Sequence, residues 1–76
     1  MREFELSIQS IEQPVYILKV GSLRVETTLG KITFLYGHAP FRGILGHGKI
    51  YYDDKTLDCG GGLIKVGDNR AEILLA

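Results

Sequence analysis

The stretch "LIKVGDNRAEILLA", Leu63 to Ala76, decides the fold. Two apolar runs, LIKV and AEILL, bracket the four residues GDNR. Gly, Asp and Asn tolerate the left-handed backbone that a tight turn demands, so the composition reads as a β-hairpin. The flanking runs repeat every second residue, and the same period extends outward along the chain. Phe4, Leu6 and Ile8 alternate with Glu5, Ser7 and Gln9, the pattern of a half-buried strand. "SLRVET" places Leu23 and Val25 on one face and Arg24 and Glu26 on the other. "KITFLY" turns Ile32 and Phe34 inward, and "KIYY" turns Ile50 and Tyr52 inward with Lys49 and Tyr51 outward. No segment carries the 3.6-residue period of a helix.

Turn signals fall at Gln13-Pro14, Gly21-Ser22, Leu29-Gly30, Gly46-His47-Gly48 and Asp53-Asp54-Lys55. Together they predict an all-β chain of about eight to ten short strands, a single antiparallel β-sandwich or a small barrel. With 76 residues the chain forms one domain, 1–76. "CGGGL" is unlike the other glycine sites, because three glycines interrupt what should be strand. Its expected role is a sandwich corner, preferred over an anion-binding nest. A phosphate loop would end in Lys-Ser/Thr and lead into a helix, and neither is present.

Composition excludes several functions. Lys plus Arg and Asp plus Glu number nine each, and no like-charge run exceeds Asp53-Asp54. The basic excess of a nucleic-acid binder is missing. A single cysteine, Cys59, allows no internal disulfide and no Cys-rich metal site. The longest apolar runs, such as "VYIL" and "ILLA", have four residues, too short to span a bilayer, and "MREFELS" is no secretory leader.

Catalysis has little to build on. Cys59 with His38 or His47 is the one conceivable thiol pair, but Cys59 lies on an alternating strand, where a free cysteine behaves as a small buried hydrophobe. His38 and His47 do not form a metal-ligand spacing, and His47 reads as a solvated turn residue. Asp53-Asp54 reads as turn chemistry rather than an acid–base pair. The expectation is a non-enzymatic domain with no cofactor and no metal, whose surface is its function.

Two stretches bear on that surface. "PVYILKV" is apolar on both faces, with Val15 and Ile17 on one and Tyr16, Leu18 and Val20 on the other. An antiparallel sheet normally turns one face to water, so this strand lies either at a covered junction or under a partner. "LYGHAPFRGIL" gathers Gly37, His38 and Pro40 in mid-chain. Gly37 permits a turn that other residues resist, Pro40 holds Ala39 extended, and His38 is displayed at a set angle.

On "SIEQ" (10–13), Gly30, "GHAP" (37–40), "GGGLIKVGDN" (60–69) and "AEILLA" (71–76), the chain resembles the N-terminal β-sandwich of the epsilon subunit of F-type ATP synthases. The family's "G-E-x-G-I-x-P-G-H-A-P" hallmark keeps its first glycine and last four residues in "GKITFLYGHAP". The resemblance runs from Phe4 to Leu75. It implies a sandwich fold and a non-catalytic central-stalk role in a proton-translocating ATP synthase. The implied partners are the gamma subunit and the c ring. The implied location is the cytoplasmic face of a bacterial plasma membrane or an equivalent energy-transducing membrane, held through the complex. The family's acidic residue after the first glycine, associated with the c-ring loops, is Lys31 here; its second glycine is Thr33, and its proline before Gly-His is Tyr36. The family's helical hairpin, associated with ATP binding and inhibition, would begin where the sequence stops, so the resemblance implies the stalk role without the inhibitory one. Candidate interface residues are Lys31, Tyr36, His38, Phe41 and Tyr51, with further docking area from Val15–Val20 and Leu74. The alternative is a free-standing β-sandwich adaptor unrelated to ATP synthase.

Overall fold

In the computed structural model, which describes residues 2–12 and 14–76, the alternation becomes seven strands and no helix among the described residues. They are β1 (Phe4–Ser10), β2 (Tyr16–Val20), β3 (Ser22–Thr27), β4 (Gly30–Leu35), β5 (Phe41–Tyr52), β6 (Lys55–Gly67) and β7 (Arg70–Leu75). The turn expected at Gln13-Pro14 falls partly on Gln13, outside the described residues. The strand order is β2-β1-β7-β6-β5-β3-β4.

The "GDNR" hairpin is the β6–β7 connection. Asp68 and Asn69 have φ of 52° and 57°, and Gly67 pairs with Arg70 across the turn. Positive φ at both central residues is the conformation that matches the twist of the flanking strands. The hairpin also closes the sandwich, because β7 continues onto β1 in the one parallel pairing of the sheet, with Leu6 beside Ala71 and Ile8 beside Ile73. All other pairings are antiparallel. The antiparallel expectation therefore holds except at this pair, where two strands far apart in sequence meet.

Gly46-His47-Gly48 is not a turn. It lies in mid-β5, and Gly60-Gly61-Gly62 lies beside it in mid-β6: Leu45 pairs with Gly62 and His47 with Gly60. The two glycine clusters bend together, so both strands pass through the corner instead of reversing. Gly62 shows why glycine is needed. Its φ is +144°, and a Cβ there would overlap the Leu74 carbonyl oxygen. The corner expected at "CGGGL" is therefore present, and its partner is the segment misread as a turn. Glycine licenses either outcome; the neighbouring strand selects between them.

Bending divides the sheet into two layers. The far halves of β5 and β6 pair with each other and carry β7, β1 and β2, since β7 meets only Gly62–Gly67 of β6. The near halves carry β3 and β4, since β3 meets only Leu45–Tyr52 of β5. The first layer is thus β2-β1-β7-β6-β5 and the second β6-β5-β3-β4. The long strands serve in both layers, which is why seven continuous strands stand where more, shorter ones were expected.

The core lies between the layers. Phe4, Leu6, Ile8, Ile64, Val66, Ala71 and Ile73 of the first layer meet Leu23, Val25, Phe34, Ile50 and Tyr52 of the second. Phe34 is fully buried, and each such large side chain contributes about 1.5–3 kcal/mol by burial. No buried side-chain nitrogen or oxygen lacks a hydrogen bond among the described residues. The layers join through Gly21, where Asp53 reaches across from the β5–β6 turn. Its Oδ1 accepts the Gly21 and Ser22 amides at 2.9 and 3.1 Å, and its own amide donates to the Ser22 carbonyl at 3.2 Å. Asp53 thus performs the turn chemistry expected of it.

Candidate docking surfaces

The segment Tyr36–Pro40 joins β4 to β5 and is held from three sides. The Gly37 amide donates to Asn69 Oδ1 at 2.9 Å, and the His38 amide donates to the Leu35 carbonyl at 3.1 Å. The imidazole of His38 meets the buried Phe34 ring edge-on, with centroids 4.6 Å apart, and its Nδ1 lies 2.7 Å from the Ala39 carbonyl. Gly37 has φ +80° with open space around it, so its backbone conformation, not crowding, requires glycine. Asn69 also accepts the Glu5 amide on its carbonyl at 3.1 Å. One residue of the β6–β7 turn therefore ties β1 and the Gly-His-Ala-Pro loop together.

The five candidate interface residues occupy separate places. His38 and Phe41 both meet Phe34, but Phe41 is only half-exposed and packs on the core, its ring 5.6 Å from Phe34. Tyr36 stays exposed, with the Arg2 guanidinium 5.1 Å above its ring. Lys31 stands at the other end of β4, beside the β3–β4 turn whose tip is Leu29, 86% exposed. About 17 Å of strand separate the two ends of β4. Tyr51 lies on the outer face of the second layer under the Arg24 guanidinium, 4.4 Å from its ring centre.

That outer face neutralises itself. Beside the Arg24–Tyr51 stack, Lys31 approaches Glu26 at 4.0 Å and Lys49 bridges Asp58 at 2.9 Å. The hydrogen bond from Lys49, and then its charge, hold the Asp58 carboxyl below its usual range, and the same contact raises Lys49.

The outer face of the first layer is different. Reading across strands by register, one row runs Ile17, Ser7, Glu72, Lys65, Arg42 and the next Gln9, Leu74, Leu63, Ile44. Ile17, Ile44, Leu63 and Leu74 are 44–60% exposed. Between the rows lies a shallow groove of about 690 Å³. β2 closes this layer as an open edge, with Val15, Tyr16 and Ile17 exposed and Val20 buried. Of the two readings of "PVYILKV", the covered junction is not what the described residues show. Leu74 and β2 were foreseen as docking area; Ile44 and Leu63 were not. Their signal was present, since Ile44-Leu45 and Leu63-Ile64 each place apolar side chains on both faces of a strand.

Cys59 is buried, and its thiol points to the Gly61 carbonyl at 3.7 Å. The His38 ring is occupied by Phe34 and Ala39, so the structure forms no Cys59–His38 pair. Among the described residues no three His, Cys, Asp or Glu side chains gather as metal ligands.

The two-layer sandwich thus has one outer face rich in paired charges and one with exposed aliphatics. The ATP synthase delta/epsilon chain β-sandwich domain matches residues 3–76, and the chain belongs to that family of non-catalytic subunits. No curated protein matches the chain in sequence. Its fold is similar to a chain in the central stalk and c-ring structure of the Tetrahymena thermophila mitochondrial ATP synthase, with a TM-score of 0.82 at 14% identity over 97% of this chain. The chain spans 63% of the length of that relative.

Proposed function

We propose that this sandwich is the central-stalk portion of a proton-translocating F-type ATP synthase, linking the gamma subunit to the c ring during rotary ATP synthesis. The observation that carries the reading is the family match across residues 3–76 on a chain whose chemistry is confined to its surface. A stalk element must transmit torque without yielding, and a close-packed sheet-on-sheet core does so. Its location is then the surface of an energy-transducing membrane, held through the complex.

Lys31 and the exposed Leu29 mark the end of the sandwich that would face the c-ring loops, and the first-layer face with Tyr36 and His38 supplies area for gamma. Because Lys31 stands where relatives carry an acid, the matching ring loop should offer an acidic or neutral group. Lys31, Thr33 and Tyr36 also motivate the second reading, an adaptor outside ATP synthase. Co-elution with the cognate gamma subunit separates the two. A joint peak at about 10 μM supports the stalk reading, and separate elution at that concentration overturns it.

A further inference from the structure

We propose that two copies of this chain associate edge to edge through β2. The two strands run antiparallel about a two-fold axis at Ile17, so that the first layer of one copy continues into the first layer of the other. The inference goes beyond the stalk reading and concerns the chain by itself.

The edges of the sandwich are not equally guarded. Among the described residues, the first layer ends at β2 and at Phe41–Gly43 of β5, and the second at β4 and at Lys55–Gly60 of β6. An open edge invites another strand unless it is short, charged or covered. Phe41–Gly43 is short, and Lys55–Gly60 carries Lys55 and Asp58. β4 projects Lys31, and its inward Phe34 is sealed in the core. β2 has one charged side chain, Lys19, and exposes apolar groups on both faces. Val15 and Ile17, outward by alternation, are 48% and 60% exposed. Tyr16 stands opposite the buried Ile8, on the core side, and is still 53% exposed. A cavity of about 310 Å³ separates it from Tyr52 and Leu57, so the second layer leaves Tyr16 uncovered.

The backbone fixes which groups face the open side. The Glu5 amide donates to the Asn69 carbonyl, toward β7. Backbone groups alternate sides along a strand, so Phe4, Leu6 and Ile8 face β2 and bond with Val20, Leu18 and Tyr16. The N–H and C=O groups of Val15, Ile17 and Lys19 therefore point away from the sheet. Pro14 falls at a position that faces β1, so its missing N–H does not interrupt the open side.

A second β2 supplies the matching set. With Ile17 opposite Ile17 of the second copy, Val15 meets Lys19 in both directions, and the outward groups form about six backbone hydrogen bonds. Sliding the strands from this register leaves Val15 or Lys19 opposite a residue outside β2. The same register sets Tyr16 beside Leu18 of the second copy on the inner face. Charge does not oppose the pairing. The two Lys19 side chains stand about 13 Å apart along the strands, beyond the screening length of about 8 Å at physiological salt. Each already lies across from Glu5 of its own chain. Acidic and basic residues are equal in number, so no net charge drives the copies apart. Two five-residue strands make a contact smaller than the roughly 1,200 Å² of a permanent interface, so the expected dissociation constant is about 0.1 mM.

The test is sedimentation equilibrium of the 76-residue chain from about 10 μM to 1 mM, where monomer should pass into dimer. Over the same range the ¹⁵N-labelled chain should shift the amides of Val15, Ile17 and Lys19 and protect them from hydrogen exchange about fivefold or more. In a mixed-label sample, an intermolecular NOE should join Ile17 to Ile17 of the second copy, a readout that needs no variant. Ile17→Lys puts two cations on the axis at an exposed position. It should weaken the dimer about tenfold or more and leave the melting temperature within a few degrees. Leu63→Ser, on the outer face away from the edge, should leave dimerisation unchanged. A monomer at about 1 mM, or shifts confined to β4, Phe41–Gly43 or Lys55–Gly60, would overturn the proposal. So would an undiminished dimer in Ile17→Lys, or a dimer lost in Leu63→Ser. Dimerisation with no gamma binding would remove the stalk reading and leave this one standing; gamma binding by a strictly monomeric chain would do the reverse.

Discussion

The two outer faces of this sandwich are built from the same alternation and end up unlike. On the β3–β4 side, the outward charged and aromatic side chains find one another, Lys31 with Glu26, Arg24 with Tyr51 and Lys49 with Asp58, and the exposed Leu35 is the one large aliphatic beside them. On the β1–β7 side, outward positions include Ile17, Ile44, Leu63 and Leu74, and the nearby Arg42 and Lys65 find no carboxylate among the described residues. A face whose charges are matched has little left to offer a partner. A face with exposed aliphatics and unmatched cations carries binding energy that water does not satisfy. The two faces differ in what they leave unsatisfied: one pairs its own charges, and the other leaves aliphatics and cations open to water.

The largest expected effect comes from breaking the corner that separates the faces. Gly62→Val forces a side chain into the Leu74 carbonyl at φ +144°. It should destabilise the chain by about 3 kcal/mol or more, and a thermal melt should drop by well over about 10 °C. An unchanged melting temperature would mean that the two layers do not depend on the bend. Next is a change that affects docking but not folding. Leu63→Asp at a half-exposed position should leave the melting temperature within a few degrees, while binding to the gamma subunit falls by about tenfold to a hundredfold. Full retention of binding would move the docking surface elsewhere, to the Tyr36–His38 loop or the β2 edge.

A third variant tests the brace at the end of the sandwich. Asn69→Ala removes the acceptor for the Gly37 amide and leaves an alanine at φ 57°. The expected loss is about 1–2 kcal/mol, and Asn69→Gly should recover the backbone share of it. If both variants behave as the original in denaturant unfolding, the loop is held by His38 and Phe34 alone.

The self-paired face should respond least. Lys31→Glu exchanges a loose exposed contact for a like-charge approach to Glu26, and stability should change by no more than about 0.5 kcal/mol. A large drop in melting temperature would show that Lys31 has a structural role. The Lys49–Asp58 pair gives a titration rather than a stability test. Because the folded carboxyl of Asp58 is depressed, its small contribution is present above the ordinary carboxylate range and fades as pH falls through the folded value. Lys49→Met should raise the Asp58 midpoint in an NMR titration, and an unmoved midpoint would show that the bridge is not formed in solution.

Much of this was legible in the sequence, for reasons specific to β structure. A period of two assigns faces wherever one side is apolar, so Phe4, Leu6, Ile8, Leu23, Val25, Phe34 and Ile50 were placed inward, and all are buried. The "GDNR" turn was legible because positive φ at both Asp68 and Asn69 is what those residue types allow. The "CGGGL" corner was legible because consecutive glycines inside a strand pattern most often mark a bulge or bend. The candidate site was read less completely. His38 and Phe41 gather on Phe34, whereas Tyr36 meets Arg2, and Lys31 and Tyr51 lie elsewhere. Ile44 and Leu63 were passed over because each sits beside an apolar neighbour, and in sequence such a pair does not say which member faces water.

By itself, then, the sequence determined the strand class, the inward residues and the chemistry of the tight turns, because these depend on neighbours one to three positions apart. Only the tertiary structure decided that Gly46-His47-Gly48 bends instead of turning, that β1 and β7 run parallel, and that one outer face is self-neutralised while the other is open. Those outcomes depend on which strand lies alongside, and contacts between segments tens of residues apart leave no local periodicity to read.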